Sequence, residues 1–134
     1  MKRIIIKIFA LLMAISFMFS IQMFVSAAKE EQTVEPRWTN ASNISCSIGA
    51  GKVQSRIMGQ SGVSKITLDV YVYVQSGSSW SYVTENHKTV NSVLLNDTFT
   101  FNMIAGGYYR ADFTIVVTKN GVNETITQTK YYTN

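Results

Sequence analysis

The sequence predicts an all-β protein, an antiparallel β-sandwich of about seven strands that follows an N-terminal export signal. Three observations carry that reading. Apolar and polar residues alternate with period two along most of the chain after residue 38, the pattern of strands with one buried face. Turn signals rich in Gly and Asn separate the alternating runs at short intervals. No ten-residue window in that region spaces its apolar residues for a helix.

The chain has 134 residues, which is one domain once targeting residues are set aside. Residues 1–28 read as a signal peptide. Lys2, Arg3 and Lys7 precede an almost unbroken apolar run from Ile8 to Val25, and Val25-Ser26-Ala27-Ala28 closes it with small residues. The run is near the lower length limit for spanning a bilayer, and the abrupt change to Lys29-Glu30-Glu31-Gln32 favours cleavage over anchoring. Ala27 or Ala28 is the expected last residue removed. Residues 29–38 then form a polar linker, and residues 39–134 the sandwich domain.

Removing the signal changes the electrostatics. The whole chain carries a net charge of +4, but three of its 12 basic residues leave with the signal. Nine basic residues then face eight acidic ones, for a net charge of +1. A nucleic-acid partner would need a basic patch on the folded part, and no basic run is visible there. Cys46 is the one cysteine, so neither an intramolecular disulfide nor a paired-cysteine zinc site can form. No cysteine follows the apolar run to carry a lipid, and no second apolar stretch would hold the cleaved chain in a membrane. The expected location is secreted, extracellular.

The elements follow in order. Ile44, Cys46 and Ile48 alternate with serines, and Val53, Ser55 and Ile57 with Gln54 and Arg56. Cys46 therefore sits on a core face, where it should be unreactive, and a serine there would bury a hydroxyl without a ready partner. Ile66, Leu68, Val70, Val72 and Val74 make the longest alternation, interleaved with Thr67, Asp69, Tyr71 and Tyr73. A hairpin strand follows the turn Ser76-Gly77-Ser78-Ser79, with Trp80 and Val83 at opposite parity. Pairing Val74 with Trp80 would turn the indole inward, whereas pairing Gln75 with Trp80 would turn it outward beside Tyr73. Phe99 and Phe101 alternate with Thr98 and Thr100, and Tyr109, Ala111, Phe113, Ile115 and Val117 with Arg110, Asp112, Thr114 and Val116. The threonine-rich run from Val122 to Tyr132 suits an extended chain. Between the last two lies Asn120-Gly121, the residue pair that best tolerates the positive φ of a type I′ turn.

Seven short strands in about 106 residues fit an immunoglobulin-like sandwich, in which strands C, F and G lie side by side. Tyr109, two residues before the small Ala111 at the start of a long strand, fits the tyrosine corner of such folds, whose hydroxyl bonds back to the preceding backbone. Val70-Tyr71-Val72-Tyr73, Ser76-Gly77-Ser78-Ser79-Trp80 and Val83 resemble the C–C′ hairpin of fibronectin type III domains, and the segment from Tyr109 their F–G hairpin. Pro36-Arg37-Trp38-Thr39-Asn40, Ser61-Gly62-Val63-Ser64-Lys65-Ile66 and Gly107-Tyr108-Tyr109-Arg110 are similar to segments of small uncharacterised secreted β-sandwich proteins of Gram-positive bacteria. That resemblance implies export and a fibronectin type III-like sandwich, and it transfers no catalytic residue.

Catalytic and cofactor signatures are absent from the sequence, so the protein is expected to be no enzyme and to carry no cofactor or metal. A nucleophile needs a converging base and acid. The one histidine, His87, sits where a loop or strand end should follow the C′ hairpin, and no serine lies in a Gly-x-Ser-x-Gly elbow. Asp69 and Asp112 fall at outward phases, where a flat sheet does little to raise a carboxyl pKa. With Arg110 in the same phase, they read as a surface ion-pair cluster. Glu85 and His87 would share a strand face, but two ligands do not make a metal site. Asn40, Asn43, Asn96 and Asn123 begin Asn-x-Ser/Thr triplets, expected by chance in so Ser/Thr/Asn-rich a chain.

What remains is a surface. If strands C and F pair, Tyr71, Tyr73, Arg110 and Asp112 stand together on one outward face, an aromatic cluster rimmed by charge and suited to recognition. The expectation is a secreted, non-enzymatic binding or cell-envelope interaction module, its partner a protein or a cell-wall glycan. The alternative is a secreted structural or self-associating protein of the envelope or matrix, assembling through unpaired strand edges. A secreted hydrolase is a distant third.

Overall fold

The computed structural model describes residues 37–134; the signal peptide and nearly all of the linker lie outside the described residues. Seven strands follow in order: β1 (Ala41–Gly49), β2 (Lys52–Gly59), β3 (Val63–Ser76), β4 (Ser79–Val90), β5 (Leu94–Thr100), β6 (Tyr108–Lys119) and β7 (Val122–Thr133). They form two antiparallel sheets, β1-β2-β5 and β4-β3-β6-β7. No helix occurs among the described residues. The protein is an all-β antiparallel sandwich, and β3, β6 and β7 lie side by side.

Packing explains the alternation. The central pair of the four-stranded sheet aligns Ile66 with Val117, Leu68 with Ile115, Val70 with Phe113 and Val72 with Ala111. All eight are buried, and they share one core with Val53, Ile57 and Leu95 of the opposing sheet. Fully burying a side chain of this size stabilises by about 1.5–3 kcal/mol, so the two inner faces determine which side of each strand looks inward. Trp38, placed by the sequence at the end of the linker, packs against this core.

Three turns set the hairpin registers. Asn120 and Gly121 both have positive φ (52° and 76°) between the paired residues Lys119 and Val122, the type I′ geometry that matches the twist of the strands. Ala50 and Gly51 make the same two-residue connection between β1 and β2, with Ala50 at φ 47°. Gly77-Ser78 joins β3 to β4 between Ser76 and Ser79.

Two elements differ from expectation. β4 runs to Val90, so His87 stands in mid-strand rather than in a loop. Its inward phase holds Asn86 and Lys88 opposite Val70 and Leu68, which hides the strand from a search for apolar alternation. β5 begins at Leu94, four residues before the alternation that marks it in the sequence. Asn86 of β4 donates its amide N–H to the Asp97 carboxylate of β5, tying the two sheets together at that edge.

Cys46 faces the core opposite Ser55. Burial pushes its thiol above the ordinary range, and a hydrogen bond from Ser55 and the charge of Lys130 pull weakly the other way. A raised value favours the protonated thiol in the fold, so this contribution to stability is intact below the usual thiol range and declines as pH rises through the raised value. Thiol reagents should label the native protein slowly and the unfolded protein fast; rapid native labelling would contradict the core placement. Ser55, buried directly opposite, places a hydroxyl beside this position, so Cys46→Ser should sit at the low end of the penalty for burying a polar group, about 1 kcal/mol.

The start of β1 is held by β7. The backbone N–H of Thr39 donates to Glu124 Oε1 at 2.6 Å, and that of Asn40 to Oε2 at 2.6 Å. The N–H of Ala41 reaches Oε2 at 3.3 Å. Asn40 turns its own amide inward to the carbonyls of Val117 (3.0 Å) and Val122 (3.3 Å). Buried and engaged in this way, it is not available as a glycosylation acceptor.

Candidate binding face

From Lys65 onward, the odd-numbered side chains of β3 point away from the core, as do the even-numbered ones of β6, and the register decides what meets what. Tyr73 lies opposite Arg110 and Tyr71 opposite Asp112 across the β3–β6 pair. All four residues singled out from the sequence therefore stand on one face of the four-stranded sheet.

The structure adds four residues to them. Gln75 pairs with Trp80 and Tyr73 with Tyr82, so the indole points outward. A register shift between Val72 and Tyr73, where Val72 pairs with Thr84 and Tyr73 with Tyr82, leaves Val83 as the extra residue. Val83, opposite in parity to the outward Trp80, turns inward and packs against the core, and the bulge resets the phase so that Thr84 faces inward beside Val72. On the other side, Arg110 pairs with Tyr131, and Tyr108 precedes it in the same outward phase.

These rings form a connected cluster. Trp80 lies 5.6 Å from Tyr108 and 6.1 Å from Tyr131, and the two tyrosines stack at 5.7 Å with only 12° between their planes. Tyr73 and Tyr82 meet edge to face at 6.3 Å. Arg110 sits between the two groups, its guanidinium carbon 4.7 Å from the Tyr73 ring and 4.8 Å from the Trp80 ring. Such cation–π contacts are worth about 0.5–2 kcal/mol each, more as water is excluded. One guanidinium nitrogen bonds Asp112 Oδ2 at 3.0 Å, and Thr129 donates to Asp112 Oδ1 at 2.9 Å. Arg110 Nε is buried with no hydrogen-bond partner, so the ring faces rather than further acceptors hold that side of the guanidinium. Tyr82 (57% exposed) and Tyr131 (54%) leave their rings open to solvent.

Asp69 and Asp112 do not act as one carboxylate pair. Asp69 instead bonds Nδ1 of His87, its cross-strand partner. His87 Nε2 lies 3.3 Å from the Thr89 hydroxyl, which lies 3.2 Å from that of Thr67. The order carboxylate, imidazole, hydroxyl is that of a nucleophile relay. Here it stands on an open sheet face with the imidazole 65% exposed, where water screens any charge that a reaction would develop. A cross-strand hydrogen-bonded pair is the chemistry such a place supports.

The opposite face of the sandwich is different in kind. Ser45, Ser47, Gln54, Arg56, Asn96 and Thr98 line a hollow of about 290 Å³ on the outward side of β1-β2-β5, polar throughout and without an aromatic ring. Among the described residues no cluster of three or more His, Cys, Asp or Glu side chains could hold a metal ion. No family model matches the chain. No curated protein matches it either.

Proposed function

We propose that the protein is a secreted, non-enzymatic binding module that engages a partner at the cell envelope through the outward face of β4-β3-β6-β7. The observation that carries this reading is the aromatic cluster built around Arg110. Trp80, Tyr73, Tyr82, Tyr108 and Tyr131 gather about one guanidinium on a solvent-facing sheet, a composition enriched where proteins bind partners. The positive, apolar and small-residue order of residues 1–28 supports export. The adjacency of β3, β6 and β7, with the bond that Tyr109 accepts from the Ile104 backbone (2.7 Å), supports an immunoglobulin-like, fibronectin type III-like plan. Both features agree with the resemblance to small secreted proteins of Gram-positive bacteria.

Self-association through strand edges fits less well. Both edges of the four-stranded sheet place a lysine in the inward phase, Lys88 on β4 and Lys130 on β7, a device that discourages further strand pairing. Concentration-dependent sizing separates the two readings, since only assembly gives large oligomers.

The test is sedimentation with isolated cell envelopes. The wild type should pellet with them, and the double variant Tyr71→Ser/Tyr73→Ser should stay in solution. Its stability should fall by no more than about 1–2 kcal/mol, because Tyr73 gives up one cation–π contact and an edge-to-face contact. Equal pelleting of the two proteins would remove this face from the function.

A further inference from the structure

We infer that this face takes a neutral polysaccharide, an extended chain of uncharged sugar rings laid across the four strands; the inference rests on the binding-module reading above and specifies its ligand. The first ground is charge. Arg110 is neutralised by Asp112 and covered by two rings, and Asp69 is hydrogen-bonded to His87. Glu85, opposite Tyr71, is the one carboxylate in this phase without a side-chain partner among the described residues. An acidic polymer finds Arg110 already satisfied and one exposed lysine, Lys65, eight residues along β3 from Tyr73, and a basic one finds Glu85, so neither sign prevails. A partner steered by complementary charge has little to meet here, whereas an uncharged one loses nothing.

The second ground is the kind of apolar surface. In the outward phase of the sheet the apolar side chains are aromatic with one exception, Val116. Aromatic rings offer flat faces to the C–H faces of sugar rings, and tyrosine and tryptophan add polar tips for hydroxyl groups. Around the rings the face is lined with hydroxyl and amide groups, among them Gln75, Thr114, Thr127, Thr129 and Thr133, which can donate to and accept from a polyhydroxylated chain. Ring centroids lie 5.6 to 6.1 Å apart within the Trp80, Tyr108 and Tyr131 group and 6.3 Å apart between Tyr73 and Tyr82, and Arg110 bridges the two groups. The two groups draw on all four strands, an open platform for a polymer rather than a pocket for one small molecule. Arg110 acts in it as a positioning residue, holding Tyr73 and Trp80 by their faces.

Gel retardation and calorimetry test this, using protein expressed from the full coding chain. The probes are a linear β-glucan, a mannan and chitin oligosaccharides, with polygalacturonate as the anionic control. At least one neutral probe should bind, and binding should persist at high salt. Trp80→Ala and Tyr131→Ala should each weaken it about ten-fold, Trp80→Phe should retain most of it, and Lys52→Ala on the other sheet should leave it unchanged. Circular dichroism and unfolding curves confirm that each variant is folded. Failure of every neutral probe overturns the inference, as does binding that salt abolishes or that ignores Trp80→Ala and Tyr131→Ala. If the neutral probes fail but envelope binding persists and depends on Tyr71 and Tyr73, the glycan assignment is wrong and the binding face stands. If envelope binding is also absent, both fall.

Discussion

Replacing Tyr109 with alanine is expected to cost the fold about 3–5 kcal/mol, and replacing it with phenylalanine only about 0.5–1.5 kcal/mol. The first figure follows from burial. Tyr109 is 1% exposed at the end of the core, with its ring 5.5 Å from that of Phe101. Its removal leaves a cavity where two sheets and the β5–β6 connection meet. The second figure isolates the hydroxyl, which accepts the backbone N–H of Ile104 at 2.7 Å. Without it that N–H loses its partner in a partly buried turn. The ring is admitted by Gly107, where a Cβ would come within 2.7 Å of the tyrosine ring and 3.1 Å of the Ile104 carbonyl oxygen. Urea unfolding measures both variants. A Tyr109→Phe variant as stable as wild type would mean that the corner bond contributes nothing to this fold.

Glu124→Ala is expected to cost about 2 kcal/mol, since hydrogen bonds to a charged group each contribute roughly 1.5–3 kcal/mol and this carboxylate is partly solvated. Its two oxygens take the N–H groups of Thr39, Asn40 and Ala41 where β1 begins. The loss should be local before it is global. Amide exchange should accelerate at those three residues while β3 and β6 stay protected. Glu124→Gln keeps one acceptor oxygen and should fall between. Unchanged exchange at Thr39 and Asn40 in Glu124→Ala would show that β1 is held by its pairing with β2 alone.

Much of this architecture is legible in the residues. β3 and β6 are central strands, buried on one face along their whole length, so Ile66 to Val74 and Tyr109 to Val117 alternate cleanly. The parity of those two strands also places Tyr71, Tyr73, Arg110 and Asp112 outward together. β4 is an edge strand with polar residues in both phases, so periodicity under-reads it and leaves His87 in a loop. The larger part of the aromatic cluster was within reach of turn chemistry. A two-residue Asn120-Gly121 turn pairs Lys119 with Val122, and counting back from it sets Tyr131 opposite Arg110. The Gly77-Ser78 turn likewise sets Trp80 opposite Gln75. The bulge at Val83 and the clamp by Glu124 are tertiary choices with no local signal, because each depends on what the far side of the sandwich presents.

Hydroxyl-radical footprinting of the protein bound to isolated cell envelopes tests the central claim most directly. The expected result is protection concentrated at Trp80, Tyr82, Tyr108 and Tyr131, the rings that stand on the outward face of β4-β3-β6-β7, with the residues around Gln54 and Arg56 as reactive as in the free protein. Protection centred on the polar hollow of β1-β2-β5, with the four rings unchanged, would contradict it.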